Sequence, residues 1–500
     1  MLEITVPYLL ERCASKSPDK VGIVAGGSRS TFKQWDDNAS TIADWLLSLG
    51  LRAGERVATL FANTKEALEV FFGLWKIGAV IVPLNTRLTV WELQGLLEHS
   101  DPRAVLYGVN FRDQVEDLKR VLPHLDYWAA PGSGVVGNAA VDRSNFIVKE
   151  RDLACILYTA GTTGSPKGVM LTHKNLVWGA VNLAQDSYFR PHLKVLLAFP
   201  LFHAAGFGLL TASLYMGSTL VALEKFYPEA IMELTETERL GKIALAPAAW
   251  SMILSLPGLD RYDTSSVESV TSGGSAMPVD LKRRLKEVFP RARLGETYGM
   301  TETSATISTW KCEEDPETEG CVGRPFTNVE VRVVDDDRTT LGPYQVGEIV
   351  TKGPNVTSGY WRAEEETKAA LRDGWLYTGD LGYLDEEGRI YLVGRKKELI
   401  NTGGEKVVPG EVERVLSMHP SVADVAVIGV DDPLWGERVH AIVVKKQEVT
   451  ERELIEFCEG RLAGYKKPKS IEFVDVIPRS PAGKIMRHLL KKQRTVSHRG

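Results

Sequence analysis

Cysteine is scarce in this chain: five residues, Cys13, Cys155, Cys312, Cys321 and Cys458, in 500. They are scattered and form no Cys-x-x-Cys pair, so nothing suggests a disulfide framework. Cys312 and Cys321 are near in sequence but lack partner ligands at zinc spacing, which speaks against a structural metal. No run approaches the roughly 20 apolar residues of a membrane span. The start, MLEITVPYLLERCASKSPDK, lacks the long apolar core of a secretory signal. The final SHRG matches neither the peroxisomal nor the endoplasmic-reticulum address. Basic excess is missing too. A net charge of −5 and a pI near 6.1 argue against nucleic acid as the main partner, although a local basic patch can still bind a polyanionic cofactor. No repeat or low-complexity tract is visible. A cytoplasmic soluble enzyme is the expectation, with its oligomeric state open, a homodimer included.

What is there is length and alternation. Five hundred residues exceed one core, so two or more domains are expected. A hydrophobic share of 44% and a charged share of 25% are ordinary for a globular enzyme. ERVATLF reads as a strand, KEALEVFFGLWKIG as an amphipathic helix, and AVIVPL as the next strand. KVLLAFP and GLLTASLYMG, KIALAP and AAWSMILSL, VESVTSGG and PVDLKRRLKEVF continue the alternation. The implied class is α/β, a large N-terminal region of mostly parallel sheets covered on both faces. Near Val322 the pattern changes. VEVRVVDD, VGEIVTKG and GRIYLVG are strands with little helix between them, which predicts a small antiparallel barrel or sheet. Beyond Gly394 the pattern predicts a separate α+β domain of about 100 residues. The boundary is placed at Arg395 to Glu398, giving domains 1–394 and 395–500.

Four segments carry chemistry. YTAGTTGSPKGVM, Tyr158 to Met170, holds three glycines, three threonines, a serine and a lysine behind an apolar run. Glycine N–H groups, the hydroxyls of Thr159, Thr162, Thr163 and Ser165, and Lys167 suit an anion cradle. Its spacing is not that of a Walker A loop, and a polar surface turn is the plain alternative. GETYGMTETS, Gly295 to Ser304, offers Glu302 as a carboxylate for Mg²⁺ near phosphates and Tyr298 as an aromatic that can stack on a base; an acidic loop with a surface tyrosine is the other reading. In WLYTGDLGYLDEEGRIYLVGRKKEL, Asp380 can accept two ribose hydroxyls and Arg395 can donate to the same sugar, or Asp380 is a turn residue. In IPRSPAGKIMR, Lys484 follows a Pro-Ala-Gly turn that can hold it out from its domain; taken alone it reads as a solvated lysine.

Together and in this order, these segments resemble the adenylate-forming (ANL) superfamily of acyl-CoA synthetases, peptide-synthetase adenylation domains and beetle luciferases. PLFHAAGF and SGGSAMP are family-like as well, and the resemblance runs from about Pro7 to about Arg487. One departure shows: Ala160 stands where the family loop usually has serine, which removes one hydroxyl donor.

The resemblance implies an AMP-forming acid–CoA ligase using ATP, Mg²⁺ and coenzyme A. The acid would be a medium-chain fatty or aromatic carboxylic acid, which suggests fatty acid metabolism. It assigns the loop with Lys167 to the β- and γ-phosphates, Glu302 with Thr162 to Mg²⁺, and Thr301 to the α-phosphate. Tyr298 lies against adenine, with Gly274, Glu296, Thr297 and Gly299 in the nucleotide set. Asp380 and Arg395 hold ribose, and Lys484 bridges the carboxylate and α-phosphate.

The same resemblance makes the C-terminal domain a mobile lid pivoting at Lys397, with Gly403, Gly404 and Trp435 along a tunnel for the thiol. Gly403 and Gly404 are otherwise a tight turn, and Trp435 otherwise covers the small domain's core. Small residues (Ala204, Ala205, Gly206, Ala248, Gly273 and Gly274) would leave room for the acyl group, with Phe207 and Trp250 as walls. His203 is either a gate beside the carboxylate or a buried structural histidine. The absence of lysine and arginine from these pocket segments favours an uncharged tail over a dicarboxylate. The rivals are a stand-alone adenylation enzyme loading a carrier-protein thiol, a luciferase-like oxygenase, and a non-catalytic nucleotide-binding protein.

Overall fold

The computed structural model describes the chain except residues 1–2, 126, 132–146, 160–165, 313–317, 403–404, 433–434, 480–484, 488 and 492–500. Two compact units emerge. The first comprises Met1–Thr318, Gly323–Glu330 and Thr351–Leu376; the second comprises Glu319–Val322, Val331–Val350 and Tyr377–Gly500.

The first unit is built on two sheets. In one of seven strands, Arg56–Leu60, Val80–Pro83, Ala104–Tyr107 and Trp128–Ala129 are joined by parallel pairings. Val80–Pro83 also meets Leu153–Thr159 in parallel. The far edge turns antiparallel through Lys167–Thr172 and then Gly359–Tyr360. Val80–Pro83 is buried along its whole length, as a parallel strand covered by helices on both faces must be. The nine-stranded sheet runs parallel through Val21–Ala25, Thr219–Ala222, Lys194–Leu197, Lys242–Leu245, Ser269–Gly273 and Arg293–Tyr298. It ends antiparallel at Ser308–Lys311 and Arg324–Pro325.

The helix Lys65–Lys76 starts where the Thr64 hydroxyl accepts the Ala67 N–H at 3.2 Å, satisfying one of the otherwise unpaired first-turn donors. Its Phe71, Phe72 and Trp75 form an aromatic cluster with Trp35 and Phe207, edge-to-face except for the tilted Phe71–Phe207 contact. That cluster reaches into the helix Ala204–Met216, which is buried over most of its surface.

In the second unit the strand Trp375–Leu384 pairs antiparallel with Ile390–Arg395. The Thr378 hydroxyl donates to the Ile349 carbonyl of the neighbouring strand at 2.7 Å. A further sheet orders Glu405–Val407, Ile400–Thr402, Gly436–Lys445 and Val422–Asp432, with Ser470–Phe473 parallel to Gly436–Lys445. The helices Pro409–Ser417 and Glu451–Phe457 pack Val412, Leu416 and Leu454 against Val427, Val439 and Ala441 of this sheet. Ala426, Ile428 and Ile442 meet Ile477 and Leu490 in a separate cluster. The architecture is α/β, with a large N-terminal part and a small α+β C-terminal part. Among the described residues no helix is long and apolar enough to cross a membrane.

Candidate active site

The glycine- and threonine-rich segment is flanked by the two strands of a hairpin. Leu153–Thr159 pairs with Lys167–Thr172, and the last pair before the connection is Thr159 opposite Lys167. Thr162, Thr163 and Ser165, with Ala160, lie outside the described residues, so the frame of the loop is given by its two flanks. The Lys167 ammonium lies 5.3 Å from the ring centroid of Tyr360, within cation–π range. Tyr360 belongs to the next strand over, Gly359–Tyr360.

The second segment leaves the strand Arg293–Tyr298. Thr297, Tyr298, Gly299 and Thr301 form a half-buried rim at its end. A side chain at Gly299 would run into the Ala305 carbonyl, and Ser304 and Ala305 adopt left-handed φ values of 49° and 66°. This tight turn swings Glu302 back beneath the rim, where it is buried. Its Oε1 accepts the Tyr360 hydroxyl at 2.9 Å, and its carbonyl accepts the Thr357 N–H at 2.7 Å. Burial and the adjacent carboxylate push the Tyr360 phenol well above its ordinary range, so it remains a donor. Asn355 braces the turn by donating to the carbonyls of Thr303 at 2.9 Å and Thr306 at 2.6 Å. Thr297 Oγ1 is buried with no partner among the described residues. The Thr297 backbone lies in register with Gly273, and the Cβ direction of the exposed Gly274 points into open space.

Four expectations are corrected here. The Glu296 carboxylate, expected in the nucleotide set, is used inside the domain. Oε2 pairs with the Lys282 ammonium at 3.0 Å and Oε1 accepts the Met277 N–H at 2.8 Å. Burial pushes this carboxyl up and Lys282 opposes it. Phe207, expected as an acyl-pocket wall, is fully buried against Phe71 and Trp75, so it is core. Trp250 is likewise core, with its indole N–H donated to the Thr271 carbonyl at 3.1 Å. Gly206 is filled by the close approach of the Pro200 backbone rather than open. Ala248 is exposed and Ala205 half-buried. His203 is half-buried at the start of the helix Ala204–Met216, its ring 4.7 Å from that of Phe202.

The second unit holds Asp380 and Arg395. Asp380 and Arg395 are direct partners across the ladder of Trp375–Leu384 and Ile390–Arg395. Asp380 Oδ1 receives Arg395 Nε at 2.6 Å. The Asp380 N–H is held by the Thr378 hydroxyl at 3.0 Å. Lys397 is exposed in the short 3₁₀ turn Lys396–Glu398. Trp435 is 50% exposed and so does not cover a core.

Gly403, Gly404 and Lys484 fall outside the described residues. Of the described residues flanking Lys484, Arg479 and Ile485 form an antiparallel bridge. Arg479 pairs with Asp424 at 2.7 Å, and Arg487 with Glu413 at 2.5 Å and Glu398 at 2.8 Å. Residues Asn355, Thr357 and Tyr360 were not singled out from the sequence. PNVTSGYW carries no charge or motif spacing that would have marked them.

A family model described as AMP-binding enzyme matches residues 10–361, and one described as AMP-binding enzyme C-terminal domain matches residues 411–484. The 2-succinylbenzoate–CoA ligase of Bacillus licheniformis is 34% identical over 495 residues, covering 97% of this chain and 99% of the relative. The fatty acyl CoA synthetase structure from Mycobacterium tuberculosis aligns with a TM-score of 0.83 at 32% identity, covering 99% of each chain. The o-succinylbenzoate CoA synthetase (MenE) of Bacillus subtilis is 30% identical in two solved complexes. With its acyl-adenylate intermediate the TM-score is 0.87, covering 98% of this chain and 99% of that one. With ATP and magnesium ion it is 0.85, covering 97% and 99%. With both family models matched and relatives similar from end to end, the chain belongs to the AMP-binding enzyme family.

Proposed function

We infer that the protein is an AMP-forming acid–CoA ligase. A carboxylate oxygen attacks the α-phosphorus of ATP and pyrophosphate leaves, giving a mixed anhydride with AMP. The thiol of coenzyme A then attacks the acyl carbon, AMP leaves, and a thioester remains. The observation that carries this reading is that relatives named as acid–CoA ligases match this chain along nearly its whole length. The acid is read as a medium-chain fatty or aromatic acid; the relatives name a fatty acyl group and 2-succinylbenzoate, an aromatic acid with two carboxyl groups, which does not support the preference for an uncharged tail.

The first half-reaction is governed by position and charge. Thr159, Thr162, Thr163, Ser165 and Lys167 are assigned to the departing phosphates, Thr301 to the α-phosphate, and Tyr298 with Gly274, Thr297 and Gly299 to the adenine side. The Thr297 hydroxyl, which has no partner among the described residues, supports a polar ligand there. Asp380 and Arg395 are assigned to ribose, which their direct pairing supports. His203 is placed beside the substrate carboxylate, and Ala248 and Gly273 beside the acyl group.

Glu302, with Thr162, is assigned to Mg²⁺. The residues fit such an ion. One oxygen of Glu302 takes the Tyr360 hydroxyl and, among the described residues, no partner takes the other. Among those residues no cluster of three or more ligands forms a protein cage, and magnesium at phosphates commonly needs only one or two carboxylates. Bound there, the ion would offset charge developing on the phosphates.

Lys484 is assigned to the reacting carboxylate and α-phosphate. Domains 1–394 and 395–500 are read as alternating about Lys397 between the two half-reactions, with Gly403, Gly404 and Trp435 along the thiol path. Two assays test the reading: AMP release over acids of graded length and aromaticity, and pyrophosphate exchange. Lys484→Ala should lower acid-dependent pyrophosphate exchange by at least about 10²-fold, while pre-formed acyl-adenylate plus CoA still gives thioester. Equal loss in both assays would remove Lys484 from the first step. Failure of every acid to support exchange would favour a non-catalytic binding protein, and thioester formation only on a pantetheinylated carrier would favour the carrier-loading enzyme.

A further inference from the structure

Lys167 and Glu302 arrive from different parts of the chain and carry opposite charges, yet among the described residues they make no ion pair with each other. Tyr360 separates them. Its ring face takes the ammonium at 5.3 Å and its hydroxyl takes the carboxylate at 2.9 Å. We propose that Tyr360 is a positioning residue that keeps Lys167 and Glu302 apart, so that the one stays available to phosphate and the other to magnesium. This rests on the reading of Glu302 as the magnesium carboxylate.

The backbone around Tyr360 is built to hold that ring still. Tyr360 pairs with Val169 and Gly359 with Met170, which sets the ring one strand away from Lys167. The Trp361 N–H donates to the Gly168 carbonyl at 2.7 Å, so both sides of Tyr360 are tied to the strand that begins with Lys167. Gly359 has φ +134°, and a Cβ there would sit 2.5 Å from Thr367. Only glycine fits that conformation and that space. The Thr367 hydroxyl in turn accepts the Tyr360 N–H at 2.9 Å and donates to the Ala363 carbonyl at 2.8 Å. On the opposite side, Thr357 holds the Glu302 backbone through its N–H and Met170 through its hydroxyl. The segment 357–360 therefore touches both flanks of the candidate site and fixes their spacing.

A direct lysine–carboxylate pair would be the obvious resting state of two such groups in a partly buried place. It would have to be broken before either could meet a substrate. An aromatic phenol avoids this, because its face attracts a cation and its edge hydroxyl attracts an anion. Among the described residues, each of the two side chains is held by one contact.

The test separates the hydroxyl from the ring. ATP binding is measured by titration calorimetry at graded free Mg²⁺, from EDTA upward, with thermal melts as a control for folding. The proteins are wild type, Tyr360→Phe, Tyr360→Leu and Glu302→Gln. Tyr360→Phe should raise the Mg²⁺ midpoint by about ten-fold, the scale of one hydrogen bond to a charged group, and leave Mg²⁺-free ATP binding unchanged. Tyr360→Leu should also weaken Mg²⁺-free binding, because Lys167 is then free to collapse onto Glu302. A wild-type midpoint in Tyr360→Phe, with Glu302→Gln defective, overturns the proposal and leaves the magnesium reading intact. A wild-type midpoint in Glu302→Gln, or no Mg²⁺ dependence in the wild type, overturns the magnesium reading and the proposal together.

Discussion

Glu296 lies two residues before Tyr298, in the segment whose neighbours are proposed to face the nucleotide, but its carboxylate belongs to the fold. It joins the strand Arg293–Tyr298 to Lys282 on the helix Val279–Val288, and to the backbone of Met277 that leads into it. The Lys282 ammonium also lies 4.1 Å from the Trp310 ring centroid. Both charges are buried, so neither can be removed alone without leaving the other uncompensated. Glu296→Gln should therefore destabilise the protein by about 3–5 kcal/mol, read by denaturant unfolding, with ATP affinity of the folded fraction little changed. A large fall in ATP affinity at unchanged stability would return Glu296 to the nucleotide set.

The same residue shows where sequence reading runs out. GETYGMTE marks a segment, but the partner that uses Glu296 lies fourteen positions earlier on a helix, and spacing does not reveal it. From the sequence Phe207 reads as a pocket residue, being apolar and following the FHAAG segment. Whether an apolar side chain faces a cavity or the core depends on neighbours such as Phe71 and Trp75, which come from another helix. Asp380 and Arg395 were easier, since both sit on strands joined by a short turn and the hairpin register brings them together.

At the scale of elements, strand–helix alternation was legible because buried parallel strands read as short apolar runs between amphipathic helices. The strand Gly359–Tyr360 was not, because two residues carry no period. The described residues of the C-terminal segment show how side-chain anchors hold a short element in place. Ile477 and Leu490 pack on Ala426, Ile428 and Ile442, and Arg479 pairs with Asp424. Arg487 donates to the Val427 carbonyl at 3.2 Å and pairs with Glu398 and Glu413. Burial pushes the Glu413 carboxyl up and Arg487 pulls it back, so this guanidinium is what keeps a charge there tolerable. If these anchors aim the segment containing Lys484, loosening one should harm the step that uses the lysine. Arg487→Met keeps bulk and removes the pairing. It should lower acid-dependent pyrophosphate exchange by about ten-fold or more, with thioester formation from pre-formed acyl-adenylate less affected. Equal decline of both would make Arg487 a stability residue only, and a thermal melt would show that decline as well.

For the whole molecule, the proposed cycle needs one point where the chain can turn while its surroundings stay fixed. Residues on either side of Lys397 are anchored in different directions. Lys396 pairs with Asp336 and Glu348, both at 3.0 Å, and Glu348 also accepts the Gly379 N–H beside Asp380. Glu398 pairs with Arg487, near the end of the C-terminal part. Rotation between these two anchors must be taken up at or next to Lys397, which is exposed. Two orientations need φ and ψ freedom there, and proline removes that freedom at φ. The observed 3₁₀ turn has a φ range that proline tolerates, so the substitution should freeze a conformation rather than prevent folding. Lys397→Pro should accordingly retain acid-dependent pyrophosphate exchange and slow thioester formation by at least about ten-fold, a barrier increase near 1.4 kcal/mol. Lys397→Gly, which keeps the freedom and loses only the side chain, should retain both steps. Full turnover in the proline variant would mean that the chain turns elsewhere, and parallel loss of both steps with a lowered melting temperature would mean that this turn serves folding instead.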